Sequence, residues 1–172
     1  MAKKGNKIVN YSVYIRQDGK AKKIGDTTSV QLPSIEMLTD TIKGAGIMGE
    51  LDWPSYYQPG SMTLTINMRV TGEDLALLAG ANSIEIRWVT DVFDDANVKV
   101  GINAHKAFIK CINKKIDEGK LEPGASQDGS FEYEVFAYKR IINGKEILNI
   151  DKFNGIFAIN GKDYAKDVQA AL

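Results

Sequence analysis

Residues Leu32–Val70 read LPSIEMLTDTIKGAGIMGELDWPSYYQPGSMTLTINMRV, and this stretch decides the fold. Its last ten residues, Ser61–Val70, alternate without a fault between apolar and polar side chains. Such alternation predicts a strand with one buried face and one face in water. The buried face holds Met62, Leu64, Ile66 and Met68, and the polar face holds Ser61, Thr63, Thr65, Asn67 and Arg69.

The segment 44–60, immediately before this strand, is rich in glycine and aromatic residues. Its glycines do not form a phosphate-binding loop, because the chain has neither GxxxxGK followed by Ser or Thr nor the GxGxxG spacing. Disordered segments are poor in aromatic residues, whereas this one contains three within five positions. We therefore predict an extended loop over residues 44–60 that is ordered by burial against a neighbouring copy of the chain. The predicted inter-subunit contacts are Ile47, Met48, Leu51, Trp53, Tyr56 and Tyr57.

The composition is that of an ordinary globular protein, and we expect a single domain over residues 1–172. Hydrophobic residues make up 44% and charged residues 26% of the chain. Lys plus Arg and Asp plus Glu each number 22, so the formal net charge is zero. A chain without surplus positive charge is a poor candidate for tight nucleic-acid binding. The single cysteine, Cys111, excludes an internal disulfide framework and fits synthesis in a reducing cytoplasm.

The N-terminus, MAKKGNKIVN, is basic but has no apolar core, so we expect no secretory signal. We interpret residues 1–7 as a flexible, solvated arm rather than a nucleic-acid patch. No apolar run approaches the roughly twenty residues that span a bilayer, and we expect no membrane anchor.

The remaining chain is rich in strand and turn signals. Strands are predicted over residues 8–15, 24–32, 83–90, 130–139 and 153–159, with a hairpin at Asn143-Gly144. Thr71 and Asp74 predict a capping box for a short internal helix, and Asp163 predicts the cap of a short C-terminal helix. Residues 98–116 fit a helix and a long strand about equally. The fold class is mainly β, a sandwich or barrel of about seven or eight strands.

No group of residues predicts catalysis, cofactor binding or a metal site, so we do not expect an enzyme. His105 is the only histidine, and we interpret it as part of a surface or barrel wall. Cys111 lies in FIKCI and is interpreted as a small buried apolar residue. Asp94-Asp95 are interpreted as part of a loop, because adjacent residues of a strand point to opposite faces.

Several short motifs occur in a characteristic order. They are Leu32-Pro33, the glycine-rich Gly44–Gly49, Ser61-Met62, Ile86-Arg87, Lys115-Ile116-Asp117 with Gly119 and Gly124, Asn143–Ile147, Ile150-Asp151, Asn154, and Asn160-Gly161 with Asp163. In this order and spacing they resemble the FII-type major tail tube proteins of contractile-tailed phages nearly end to end. The chain departs from the family in its longer, lysine-rich N-terminus and in Leu51-Asp52-Trp53-Pro54.

The resemblance implies a hexameric ring that stacks into a tube, with an inner sheet that joins its neighbours into one continuous barrel around a channel. It implies that residues 98–116 form a strand. The implied partners are other copies of the chain, the tail sheath protein, the tape measure protein, and the baseplate and tail terminator proteins. DNA would pass through the lumen without specific binding. The implied location is the virion tail, assembled in the host bacterial cytoplasm.

The resemblance also gives the polar face of Ser61–Arg69 a role. Serine, threonine and asparagine offer few anchors for phosphate, whereas a dense lysine wall would hold DNA. We therefore predict that this face lines the channel. Two alternatives stay open: the tube of an R-type bacteriocin or another contractile injection system, such as type VI secretion, and a monomeric small-ligand-binding β-barrel. In the second, Trp53, Tyr56 and Tyr57 would form a lid over an apolar cavity.

Overall fold

A computed structural model describes residues 3–172. Over this range the chain has twelve strands and two short helices. In chain order they are β1 (Lys4–Gln17), β2 (Lys20–Ile24), β3 (Thr27–Gln31), β4 (Met37–Lys43), β5 (Glu50–Pro59), β6 (Met62–Met68), α1 (Leu75–Ala79), β7 (Ser83–Asp94), β8 (Lys99–Asp117), β9 (Gly129–Ile142), β10 (Lys145–Asp151), β11 (Ile156–Ile159), β12 (Lys162–Asp163) and α2 (Ala165–Ala171).

Ten of these strands form one branched sheet. Its main path runs β12-β11-β10-β9-β8-β7-β1-β2. The far edge of β9 is shared, because residues 129–135 pair with β6 and residues 137–142 pair with β10. β3 pairs with the other edge of β6. The two branches enclose one core, which gives a sandwich-like fold whose sheets do not close into a barrel.

The core lies between the branches and follows the predicted alternation. Met62, Leu64 and Ile66 of β6 are fully buried. They lie beside the inward side chains of β9, because β6 and β9 pair in regular antiparallel register. They belong to the same core cluster as the buried side chains of the opposite layer. Each such side chain contributes about 1.5–3 kcal/mol through its burial. The predicted core face of this strand is therefore confirmed.

Irregularities in the pairing of β8 with β9 allow each of these long strands to contribute one part to each layer of the sandwich. Their register shifts between Lys110 and Cys111 and again between Asn113 and Lys115. Such bulges bend a strand and increase its twist. The segment 98–116, which local pattern left undecided, is thus a strand from Lys99 onward, as the family resemblance implied.

The sequence predicts about seven or eight strands, whereas residues 3–172 contain twelve. Two local predictions were also wrong. The predicted strand 24–32 is two strands, separated at Gly25-Asp26, where Asp26 has a φ of 52°. The helix α1 begins after Asp74, which makes no side-chain cap hydrogen bond. The Asp74 carboxylate instead accepts the Gly25 N–H, and the Thr71 hydroxyl accepts the Gln127 amide at 2.6 Å. Partners distant in the sequence therefore replaced the predicted capping box.

The predicted flexible arm is also largely a strand. β1 begins at Lys4, which pairs with Phe93 of β7, and the Lys7 N–H donates to Asp91 at 2.7 Å. The first two residues of that arm lie outside the described range. Two bulges, around Ile8, interrupt this part of the ladder.

The hairpin turn and the helix start in the C-terminal part of the chain lie where the sequence predicts them. Asn143 and Gly144 have φ values of 48° and 80°, as a type I′ hairpin requires. The Asp163 carboxylate accepts the N–H of Ala165, the first residue of α2. Neither helix of the described chain has the length and apolarity needed to cross a membrane.

Candidate functional site

Four strand segments form a mostly polar surface on one side of the molecule, which Ile112, 59% exposed, interrupts. They are β3, β6, residues 129–135 of β9 and residues 111–117 of β8, paired in that order, and we call them the polar sheet. The polar sheet turns the predicted polar residues away from the core. Thr63, Thr65 and Asn67 are half-buried, and Ser61 and Arg69, which flank β6, are exposed.

Hydrogen bonds across the strands connect this surface. The Ser61 hydroxyl donates to the Glu134 carboxylate at 2.7 Å. The Lys114 ammonium donates to the Thr63 hydroxyl at 2.8 Å and pairs with Glu134 at 3.0 Å. Burial alone would raise the pKa of Glu134, but the hydrogen bonds from Ser61 and Lys114 outweigh it and hold the pKa below its ordinary value. The positive charge of Lys114 is therefore balanced by the Glu134 carboxylate within the surface.

Sequence reasoning missed several members of this surface. Ser29 accepts a hydrogen bond from Asn67 at 2.8 Å, and Glu132 lies opposite Thr65. A signal for β9 was present, since Glu132 and Glu134 alternate with the apolar residues of that strand. Lys114 had no such signal, because the bulge that brings it to this face appears only when β8 pairs with β9.

Both edges of the polar sheet are open over residues 3–172. β3 pairs with β6 alone. β7 accompanies β8 only as far as Lys110, so the outer edge of residues 112–117 meets no strand of the described chain. All neighbouring strands of the polar sheet are antiparallel. A second copy could therefore continue the alternation by placing its β8 segment beside β3.

The predicted extended loop over residues 44–60 is instead a turn followed by the strand β5. β5 pairs with β4, which precedes the predicted loop, and the two strands form a hairpin with its own sheet. Its register pairs Ile42 with Leu51 and Asp40 with Trp53, which places Leu51 and Trp53 on one face. The other face is polar, with the Thr41 hydroxyl donating to Asp52 at 2.9 Å. Leu51 is 46% and Trp53 is 59% exposed.

The tip of this hairpin presents an apolar end. Ile47 is half-buried and Met48 is fully exposed. Gly46 and Gly49 have φ values of 88° and 86°, which other residues rarely adopt, so the glycine-rich motif serves the turn.

The aromatic residues at the base of the hairpin differ in their surroundings. Tyr57 stacks on Tyr164 with ring centroids 4.5 Å apart and contacts Phe157. It is half-buried within its own chain and joins the hairpin to the C-terminal region. Tyr56 packs edge-on against it and is exposed. Five of the six predicted inter-subunit residues therefore lie on the hairpin away from the core, and Tyr57 does not.

The residues with catalytic potential are held in structural contacts. His105 stacks on Trp88, and its ring nitrogens contact Arg140 and Thr90 at 2.9 Å each. Because arginine only donates, Nδ1 accepts and Nε2–H donates to Thr90. Burial, and then the charge of Arg140, lower the pKa of His105. Burial raises the pKa of the Cys111 thiol to about 12.

The prediction that Asp94 and Asp95 belong to a loop was wrong for Asp94, which ends β7, whereas Asp95 begins the following turn. The Asp94 carboxylate accepts the N–H groups of Ala96 and Asn97 in that turn. Within residues 3–172, no three His, Cys, Asp or Glu side chains are grouped closely enough to hold a metal ion.

An apolar groove of about 240 Å³ lies between β3 and the β1–β7 pair. Tyr11, Val30 and Trp88 are among its lining residues, whereas Trp53, Tyr56 and Tyr57 do not line it. The proposed aromatic lid thus does not cover this groove.

Comparison with known proteins identifies the family. Residues 5–172 match the family described as phage tail tube protein FII. No curated protein matches the sequence. Two similar solved structures come from an extracellular contractile injection system, PVC, in the extended state. Its sheath/tube terminator is 12% identical and aligns with a TM-score of 0.48, covering 78% of this chain and 94% of the other. A chain of its sheath-tube complex is 15% identical with a TM-score of 0.44, covering 77% and 87%. On the match over residues 5–172, the chain belongs to the phage tail tube protein FII family and is a structural protein of the tail tube.

Proposed function

We propose that the chain forms hexameric rings, that the rings stack into the inner tube of a contractile phage tail, and that this tube conducts the genome into the host. The observation that carries the proposal is the polar sheet, whose outward face is polar apart from exposed Ile112, whose Lys114 is paired with Glu134, and whose two edges are both open. Family membership supports the tube. The ring, its stacking and its cargo are inferred from this surface.

Open edges explain why the chain would associate with copies of itself. An exposed strand edge carries unpaired N–H and C=O groups and invites pairing with another chain. In the ring, β3 of one copy pairs with residues 112–117 of β8 in the next. The two edges differ, so the contact is heterologous, and a closed ring satisfies every edge. The inner sheets of all copies then form one continuous barrel.

The chemistry of the polar sheet suits a channel for DNA. Its hydroxyl and amide groups, from Ser61, Thr63, Thr65 and Asn67, offer only weak contacts to phosphate. The ammonium of Lys114 is paired with Glu134 at 3.0 Å. Arg69, at the end of the face, lies 3.9 Å from Asp26. Lys115, opposite Glu132 on the same face, forms no ion pair with a described residue. One unpaired lysine is far fewer than the several phosphate contacts that hold DNA tightly, so DNA would slide past without specific binding.

The hairpin supplies the second contact between copies. A single two-stranded hairpin is at best marginally stable in water, and this one has an uncovered apolar face. Ile47, Met48, Leu51, Trp53 and Tyr56 would be covered by a neighbouring subunit or ring, while Tyr57 holds the base in place.

The other assignments follow from the tube. The sheath would surround it, the tape measure protein would occupy the lumen during assembly, and the baseplate and tail terminator proteins would bind its ends. We infer assembly in the host cytoplasm, where a lone thiol stays reduced, and a structural rather than enzymatic role. A bacteriocin tube would use the same ring without DNA, and the nucleic-acid content of the particles separates the two.

Cysteine cross-linking tests the ring. In a Cys111→Ala background, Gln31→Cys on β3 is combined in turn with cysteine at three positions of the β8 segment, which are Ile112, Lys114 and Lys115. We expect at least one pair to give a ladder of covalent species that ends at six copies. Gln31→Cys alone should stop at a dimer. If tubes form but none of the three pairs yields more than a dimer, the edge pairing is refuted.

A further inference from the structure

The layer of the sandwich opposite to the polar sheet carries a surplus of positive charge. Its outward residues lie on β1, β7, the first part of β8 and the second part of β9. Five cations lie around the buried Glu85, and Asp151 and Glu146 of β10 lie at the edge of the same face. We call this surface the basic face, and its cations are Arg16, Arg87, Lys106, Lys110 and Lys139. The chain as a whole is neutral, so this is a local concentration of charge.

Glu85 holds the two arginines of the basic face. It is 1% exposed although it lies on the outward side of the sheet. Its Oε2 accepts Nη1–H of Arg16 at 3.0 Å, and its Oε1 accepts Nε–H of Arg87 at 2.5 Å. A buried carboxylate requires such partners, since without them its charge would be removed from water and left uncompensated.

Aromatic rings fix the planes of both guanidinium groups. Arg87 lies 4.5 Å above the ring of Tyr14, and Arg16 lies 5.8 Å from that of Phe108. The side chains of Arg16 and Arg87 are nevertheless 42% and 45% exposed. Each contact to Glu85 uses one donor of five, so the remaining N–H groups of each guanidinium stay available. The result is two oriented donor forks at the surface, which suit bidentate binding of carboxylates.

Three lysines extend the positive surface. Lys106, Lys110 and Lys139 form no ion pair with any residue in the described part of the chain. Lys110 and Lys139 line a groove of about 400 Å³ next to Arg16. Asp151, at the rim of this groove, accepts the N–H groups of Phe153 and Asn154. Burial alone would raise its pKa, but the hydrogen bonds from Asn154 and Phe153, with the charge of Lys110, outweigh burial and hold the pKa below the ordinary value, so one carboxylate lies beside the lysines of the groove.

We propose that the basic face is where the tail sheath protein docks, through aspartate and glutamate side chains that enter the arginine forks and the lysine groove. This rests on the proposed tube. One hydrophobic core separates the basic face from the polar sheet. If the polar sheet lines the channel, the basic face lies on the outside of the tube, where the sheath is the surrounding protein. Charge complementarity of this kind selects the partner and speeds its binding, and salt weakens it.

Reversing the lysines tests this docking without disturbing Glu85. The variant carries Lys106→Glu, Lys110→Glu and Lys139→Glu. Sheath protein of the same tail is mixed with preformed tubes and sedimented with them at several salt concentrations. We expect wild-type tubes to bind sheath in a salt-dependent way and the variant to bind at least about tenfold more weakly. If charge reversal stops tube formation, glutamine at the same three positions takes its place.

A matched control reverses three exposed lysines elsewhere, Lys120, Lys145 and Lys166, and should bind sheath like the wild type. Duplex DNA is the second probe. If the variant binds sheath as strongly as the wild type, the proposal is overturned. If the variant loses DNA binding but keeps sheath binding, the basic face is a nucleic-acid surface and the proposal is also overturned. Tubes that bind no sheath refute the docking but not the tube, whereas a chain that never forms tubes refutes both.

Discussion

Replacing Trp53 with alanine should separate assembly from folding. Complete burial removes about 150–250 Å² of an aromatic side chain from water, so the 59% of Trp53 that is exposed represents about 100–150 Å². At about 25 cal/mol per Å² this corresponds to about 3 kcal/mol for each contact if a neighbour covers the ring. A loss of that size raises the concentration needed for tube formation by about 100-fold.

The same substitution should hardly change the free energy of unfolding of the isolated subunit. Trp53 contributes little to the core, and surface substitutions usually alter the free energy of unfolding by about 0.5 kcal/mol or less. The assay is sedimentation of tubes over a concentration series, with urea unfolding of dilute protein measured alongside. Thr39→Ala, on the polar face of the same hairpin, is the matched control and should assemble normally. Equal assembly of Trp53→Ala and wild type would refute the inter-subunit role of the hairpin.

Three further outcomes follow from individual contacts. Tyr133→Phe removes the hydrogen bond from the phenol to a helix carbonyl at 2.7 Å and should lower the free energy of unfolding by about 1–3 kcal/mol, whereas exposed Tyr56→Phe should not. The pKa of His105 is lowered by burial and a neighbouring arginine, so the unfolded chain binds the proton more readily. Stability should be complete above about pH 6.5 and fall as the pH drops below it. NMR titration of this single histidine should give a pKa below 6.5, and His105→Gln should lose the associated pH dependence. Glu134→Gln removes the carboxylate that pairs with the ammonium of Lys114. Assembled tubes of this variant should therefore retain duplex DNA at low salt and release it at high salt. If the variant tubes retain no more DNA than wild-type tubes, the proposed channel lining is contradicted.

The strand that decides the fold was predictable because its information is local. Ser61–Val70 alternates perfectly, so its buried and polar faces could be assigned without knowing its partners. The Asn143-Gly144 hairpin was equally local, because its turn needs positive φ at both positions. The length of β8 could not be predicted from local information. Its sequence pattern fits a helix as well as a strand, and only its pairing with β7 and β9 decides for the strand.

Most of the errors arise from pairing between distant parts of the chain, and one has a local cause. The capping box at Thr71 and Asp74 was lost to Gln127 and Gly25. β5 was not recognised as a strand because Pro54 and Pro59 interrupt its pattern. The basic face could not be predicted at all, since its cations come from four strands that only the sheet brings together.

The most direct test of the account is a cryo-EM reconstruction of the concentrated, purified chain. We predict six-fold rings or tubes in which β3 of one copy lies antiparallel to residues 112–117 of the next. Thr63 and Thr65 should face the lumen, and Met62 and Leu64 should face the core. Monomers at every concentration, or a tube with the methionines in its lumen, would contradict the account.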